Sequence, residues 1–204
     1  MGTEINQEQE VKFFLTNRLA LEERLQKKWA QLVHPRTYEI NLRFDTPDGS
    51  LARARQVLRL RQDEIVRLTF KGPMQVGQKV SVREEIEFTA SSFDNAKAFL
   101  EALGYQVSIR YDKYRTTYRL AGVEVTLDEL PYADFAELEG PDTASIQAAA
   151  YALGLDWNAR SLDSYLGLFG GLKQSQGLSA LNLTFEEIHQ KYPAEAFGLI
   201  AADA

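Results

Sequence analysis

Cysteine is absent from the 204 residues, so neither a disulfide nor a thiolate metal site can serve this fold, which fits a reducing compartment. Histidine is nearly as scarce. His34 and His189 are the whole supply, which leaves little imidazole for acid–base work or for zinc and copper. Uninterrupted apolar runs approaching the roughly 20 residues that cross a bilayer are missing, as is a basic N-terminal region followed by an apolar stretch and a cleavage site. A cytoplasmic protein with no membrane partner is expected. Positive charge is not in excess either: the formal net charge is -6, which disfavours a nucleic-acid partner. The Gly-x-x-x-x-Gly-Lys-Ser/Thr loop does not occur, so a nucleotide would not be held in the P-loop manner.

What is present is a chain 45% apolar and 25% charged, enough for one sizeable core. Any metal bound here must be held mainly by oxygen, which points to Mg²⁺ or Mn²⁺. Period-two alternation predicts strands over residues 7–15, 36–44, 57–61, 65–71, 79–88, 105–120, 123–129 and 134–139. Helices are expected from an N-cap at Thr16 through a stripe of Leu19, Leu25, Trp29 and Leu32, over 91–103 with Gly104 as its stop, and over 145–153, 161–169 and 184–191. A short helix is expected in the Ala/Arg stretch after the turn at Thr46-Pro47-Asp48-Gly49. Residues 170–177 read as the one internal linker, which divides a main unit (1–169) from a helical C-terminal extension of the same domain (170–204). The expected class is α+β: a closed antiparallel β-barrel of about eight strands, helices packed outside it, and a helical tail.

The second face of these strands carries the chemical information. Glu8, Glu10 and Lys12 alternate in the first strand. Arg59 and Arg61 follow, then Arg67, Thr69 and Lys71, then Arg83, Glu85 and Glu87. Lys113 with Arg115, Glu124 with Thr126 and Asp128, and Glu137 with Glu139 continue the pattern. One such strand alone reads as the solvated face of an ordinary sheet. The set reads differently, because the charges are grouped as carboxylate pairs and Arg/Lys pairs at strict two-residue spacing. If the apolar faces pack against the helices, the charged faces turn inward. Buried charge costs several kcal/mol per ion unless paired or ligand-bound, so such a lining calls for a polyanion and a counter-ion. A triphosphate held by Arg and Lys, with divalent metal bridging the carboxylates to phosphoryl oxygens, meets both needs.

At these residues the sequence resembles a known family. Glu8-Gln9-Glu10-Val11-Lys12 matches the Glu-x-Glu-x-Lys opening of CYTH proteins, the triphosphate tunnel metalloenzymes. Leu58-Arg59-Leu60-Arg61, Thr69-Phe70-Lys71-Gly72, Arg83-Glu84-Glu85-Ile86-Glu87, Lys113-Tyr114-Arg115, Leu127-Asp128-Glu129 and Phe135-Ala136-Glu137-Leu138-Glu139 follow in the family's order, and Ser164-Tyr165-Leu166 is similar to its helical end. The resemblance implies that Glu8, Glu10, Glu137 and Glu139 bind metal, with Asp128 and one of Glu85 or Glu87 assisting. It implies phosphate contacts for Lys12, Arg59, Arg61, Lys71, Lys113 and Arg115, and catalytic roles for Lys12, Glu10 and Glu139.

Hydrolysis of a triphosphate (inorganic, thiamine or nucleoside) is the expected activity. The alternatives are adenylate cyclisation, with the ribose hydroxyl attacking in place of water, and non-catalytic polyphosphate binding. The expected partner is a triphosphate-containing small molecule, and a monomer or a homodimer is compatible. Other residues read as structural: Trp29 as core, Tyr111, Tyr114 and Tyr118 as strand packing, His34 and His189 as surface groups, and Arg53 with Arg55 as a solvated face.

Overall fold

The computed structural model describes residues 6–203. In chain order the elements are β1 (Asn6–Leu15), α1 (Arg18–Lys27), β2 (Gln31–Asp45), α2 (Ser50–Arg53), β3 (Val57–Gln62), β4 (Val66–Lys71) and β5 (Ser81–Ala90). They continue with α3 (Phe93–Ala102), β6 (Gln106–Leu120), β7 (Val123–Glu129), β8 (Asp134–Glu139), α4 (Thr143–Ala152), β9 (Arg160–Ser161) and α5 (Tyr165–Gln176). The strands pair in the order β5-β4-β3-β2-β6-β7-β8-β1-β9, and β5 also pairs with β1. Eight antiparallel strands therefore close into a ring. Along β1, residues Asn6–Glu10 pair with β5, and the short β9 takes over at Lys12 and Phe13 where β5 has ended.

Closure puts one face of every strand outside, where apolar side chains meet the helices. Val11, Phe13, Val125, Leu127, Ala136 and Leu138 pack against Leu21 and Leu25 of α1 and Ile146, Ala149 and Ala150 of α4. On the opposite side Leu42, Leu60, Val66 and Leu68 receive Ala96 and Leu100 of α3. A third cluster lies on the inner face. Phe14 and Phe135 stand two residues from Lys12 and Glu137, and they pack with Tyr132, Tyr165, Phe169 and Phe197. The interior thus changes from ionic to aromatic within one side-chain step, and α5 with the tail supplies the filling.

Several sequence expectations are corrected. The helical stripe ends early: Asn17, not Thr16, caps α1 by accepting from the Ala20 N–H, and the helix stops at Lys27. Leu32 belongs to β2, where pairing of Gln31–His34 with β6 replaces helical hydrogen bonds. Trp29 bridges the two elements at φ 56° and is 93% exposed, so it is not core. The Gly/Gln stretch 170–177 is no linker: it forms the body of α5, with Gly177 as its left-handed cap. The expected helix over 184–191 is a single turn, closed by Ile188 N–H on the Thr184 carbonyl. Its neighbour Leu183 bridges to Tyr111, filling the edge of β6 that the shorter β7 leaves open.

The tail ends on α1. The Asp203 carboxylate accepts from the N–H groups of Thr16 and Asn17, both at 2.8 Å, and from the Thr16 hydroxyl. These orphan donors at a helix start lose their partner in Asp203→Ala, which we expect to cost about 1 kcal/mol by urea denaturation. An unchanged midpoint would show that water replaces the carboxylate at no cost. No helix among the described residues is long and apolar enough to cross a membrane.

Candidate active site

Inside the ring the alternating charged faces converge on a cavity of about 1220 Å³. Its lining includes Glu8, Glu10, Lys12, Arg59, Arg61, Lys71, Glu85, Glu87, Lys113, Arg115, Glu137 and Glu139. Every sequence-derived site residue except Asp128 faces this space, and Asp128 lies directly behind it, fully buried. Strand register explains the convergence: Lys12 is opposite Glu137, Glu10 opposite Glu139, Glu8 opposite Arg83 and Arg115 opposite Asp128. Directly opposed residues share a face, so charges that are far apart in the chain become neighbours.

The groups sort into three sets. In the first, Lys12 sits between Glu10 and Glu137, 2.9 Å from the latter, and Lys71 contacts Glu8 and lies 3.3 Å from Glu85. In the second, Asp128 accepts from Arg115 through both oxygens at 2.6 and 2.5 Å, from Lys113 at 3.1 Å and from the Tyr165 hydroxyl at 2.7 Å. Arg115 reaches Glu137 as well, at 3.2 Å, which joins the two sets. In the third, Glu87 serves Arg59, Arg61 and Arg67, each at 3.6 Å, while Thr69 bridges Arg59 to the same carboxylate.

Electrostatics separates the carboxylates. Burial would raise Glu137, but Lys12, Arg115 and Lys113 outweigh it and hold the group well below its ordinary range. Glu39, also buried, is pulled down to about 2 by Lys113, Arg115, Arg61 and Arg59. Glu139 behaves in the opposite way. Burial, with Glu8, Glu137, Glu10 and Glu124 close by, pushes it up to about 8, and among the described residues it has no basic partner within 4.0 Å. Glu10 and Glu8 are also raised, first by burial, despite their lysines.

The Glu139 shift has a measurable consequence. A carboxyl bound to its proton up to about pH 8 in the folded state, against 4.5 when unfolded, makes folding take up a proton between those values. Its contribution to stability is whole below pH 4.5 and is lost as pH rises to about 8, a change of roughly a few kcal/mol. We expect the metal-free protein to lose stability over this window and Glu139→Gln to flatten the slope, as read by denaturation at a series of pH values. Equal slopes for the two proteins would contradict the assignment.

The donor set fits a hard divalent cation. Glu8, Glu10, Glu124 and Glu139 present oxygen only, and their mutual repulsion is what such an ion relieves. Among the described residues no three Asp, Glu or His side chains are already arranged as ligands; Glu8 and Glu10 are turned onto Lys71 and Lys12 instead.

Glu39, Asn41 and Arg43 on β2, Tyr111 on β6 and Tyr165 on α5 lay outside the sequence reading of the site; Arg43, Tyr111 and Tyr165 border the cavity, and Glu39 and Asn41 are buried on the same face of β2 as Arg43. The first three alternate against Ile40 and Leu42, a signal as plain as those used for the other strands. Tyr111, read as packing, joins the aromatic cluster and also borders the cavity, where Arg59 and Lys113 outweigh burial and lower its phenol. No spacing could announce that the Tyr165 hydroxyl meets Asp128.

Comparison with solved structures finds the same fold in a candidate adenylate cyclase of Vibrio parahaemolyticus (TM-score 0.71, 23% identity, 80% of this chain and 97% of that one). The PH1012 protein of Pyrococcus horikoshii is similar too (TM-score 0.66, 21% identity, 78% and 97%). So is HpAC1 of Hippeastrum, described as an adenylyl cyclase candidate with dominant triphosphatase activity (TM-score 0.63, 19% identity, 80% and 95%). Curated protein sequences gave no match. The model of the CYTH domain matches residues 6–152, the span from β1 to the end of α4 that builds the ring and its charged lining, and the chain therefore belongs to the CYTH domain family.

Proposed function

We propose that the protein hydrolyses a triphosphate in this cavity with the help of a divalent metal. The observation that carries the reading is the convergence of basic and carboxylate strand faces on one enclosed space, at a cost in buried charge that a polyanion with its counter-ion would relieve further than the ion pairs of the lining do. Mg²⁺ or Mn²⁺ would be held by Glu8, Glu10 and Glu139, with Glu137 and Glu85 beside them, and when bound supplies Lewis-acid polarisation of phosphoryl oxygen and water. Asp128 and Glu87 have a different task. Asp128 is saturated by Arg115, Lys113 and Tyr165, and Glu87 by three arginines, so both aim the basic groups.

Arg59, Arg61, Lys71, Lys113 and Arg115 bind the phosphate chain, the arginines through paired N–H donors and the lysines as point charges. Lys12, fixed between Glu10 and Glu137, stands where an ammonium offsets charge on the phosphoryl oxygens during transfer. Glu10 and Glu139 orient the attacking water. The aromatic filling around Tyr165 and Phe135 keeps bulk solvent from the far end of the cavity.

The reported triphosphatase activity of HpAC1 agrees with hydrolysis, and the Vibrio relative keeps cyclisation as the rival. A panel of inorganic triphosphate, thiamine triphosphate and nucleoside triphosphates with Mg²⁺ or Mn²⁺, with phosphate, pyrophosphate and cyclic AMP read separately, tests both. Phosphate release is the expected result. Cyclic AMP with pyrophosphate from ATP makes the protein a cyclase, and binding without turnover makes it a polyphosphate-binding module.

A further inference from the structure

Four tyrosines are buried, and three of them give the hydroxyl proton to an acceptor of the protein. Tyr118 donates to Glu22 at 2.9 Å, Tyr132 to the Tyr165 carbonyl at 2.9 Å and Tyr165 to Asp128 at 2.7 Å. Tyr111 on β6 is the fourth. Among the described residues nothing stands in hydrogen-bonding geometry to accept from its hydroxyl. The charged groups that face this phenol are Arg59 on β3, Lys113 on β6 and Arg43 on β2, which hold donors and no acceptor. Asn41 is directly across the β2–β6 ladder, but its carboxamide makes no hydrogen bond and does not take the proton.

Position gives this donor a use. Tyr111 borders the cavity, whereas Asn41 and Thr126, whose side chains also lack partners, do not. Its ring packs in the aromatic cluster, and its backbone is bridged to Leu183, so the hydroxyl is fixed before any ligand arrives. Burial by itself would raise the phenol, yet Arg59 and Lys113 lower it, and a more acidic hydroxyl is the stronger donor to an anion. Water takes the proton while the cavity is open. A polyanion seated against Arg59 and Lys113 displaces that water, and losing a water without reproducing its hydrogen bond costs affinity. Phosphoryl oxygen is the acceptor such a ligand brings.

We propose that the Tyr111 hydroxyl donates to a phosphoryl oxygen of the bound triphosphate, between Arg59 and Lys113, and is a substrate contact in addition to the basic groups. The inference rests on the triphosphate reading of the cavity.

Titration calorimetry with inorganic triphosphate, run in EDTA and again with Ca²⁺, compares the native protein with Tyr111→Phe, which keeps the ring and loses one O–H. A hydrogen bond to a charged acceptor corresponds to about tenfold in affinity, and the variant is expected to bind more weakly by that factor. Urea denaturation without ligand separates a contact from a packing role. A hydroxyl with no protein acceptor stabilises nothing in the free protein, so the midpoint of Tyr111→Phe should equal the native one or exceed it. Equal affinities, or a loss of affinity that comes with a lowered midpoint, overturn the contact and leave the triphosphate reading standing. Heat from neither protein under both conditions removes that reading and the contact with it.

Discussion

Lys12→Ala is expected to lose activity and stability together. The lysine is 5% exposed and lies between Glu10 and Glu137; burial disfavours its charge, but those two carboxylates outweigh burial and leave the ammonium strongly stabilised in the charged form. Truncation leaves two buried carboxylates facing each other. Removing one partner of a buried ion pair costs about 3–5 kcal/mol, far more than the pair itself contributes. Turnover should fall on the order of 100-fold or more, because the lost cation acts on charge that moves during phosphoryl transfer. Urea denaturation and kcat/KM read the two effects. The double variant Lys12→Ala/Glu10→Gln separates them: it should regain much of the stability, since one of the exposed charges is gone, and none of the turnover. Native stability and turnover in Lys12→Ala would remove Lys12 from the site.

Arg61→Ala makes the opposite contrast. Burial, Arg59 and Arg115 all weigh against the Arg61 charge, and its carboxylate contacts are long, 3.6 Å to Glu87, 3.8 Å to Asp63 and 3.9 Å to Glu39. Its removal relieves repulsion among the cations, so stability without ligand should stay within about 1 kcal/mol of the native value or rise. The phosphate contact is lost all the same, and kcat/KM for a triphosphate should fall on the order of 100-fold. Stability gained while activity is lost is the signature of a group kept for its ligand. A large loss of stability would instead place Arg61 among the structural ion pairs, beside Arg115.

The two variants show why a list of charged lining residues is not yet a site. Lys12 and Arg61 have the same sign and the same strand parity, and from the sequence they are equivalent. Their difference lies in register. Lys12 falls opposite Glu137, whereas Arg61 falls between Asn41 on one side and Arg67 on the other.

What the sequence determined by itself was local. Period-two alternation depends only on the geometry of an extended chain, so it fixed which side chains share a face in β1, β3, β4, β5, β7 and β8, and the charged faces do turn inward. It also pointed to oxygen as the main class of donor for any metal, because the chain has no cysteine and only two histidines. Local patterns failed where a long-range ladder competed with them, as at Trp29 and Leu32, where β6 drew the chain out of the helix. Tertiary structure alone decided which charges meet. The pairing of Glu8 with Arg83, which closes the ring, joins residues remote in the chain, and no local pattern records it. The same holds at the filled end: Phe14 and Phe135 have the parity of Lys12 and Glu137, and only the packing of α5 and the tail against them makes that part of the interior aromatic. Alternation specifies a face, but burial and partner are set by what the rest of the chain brings to that face, and electrostatic energies within a few ångströms depend on that choice.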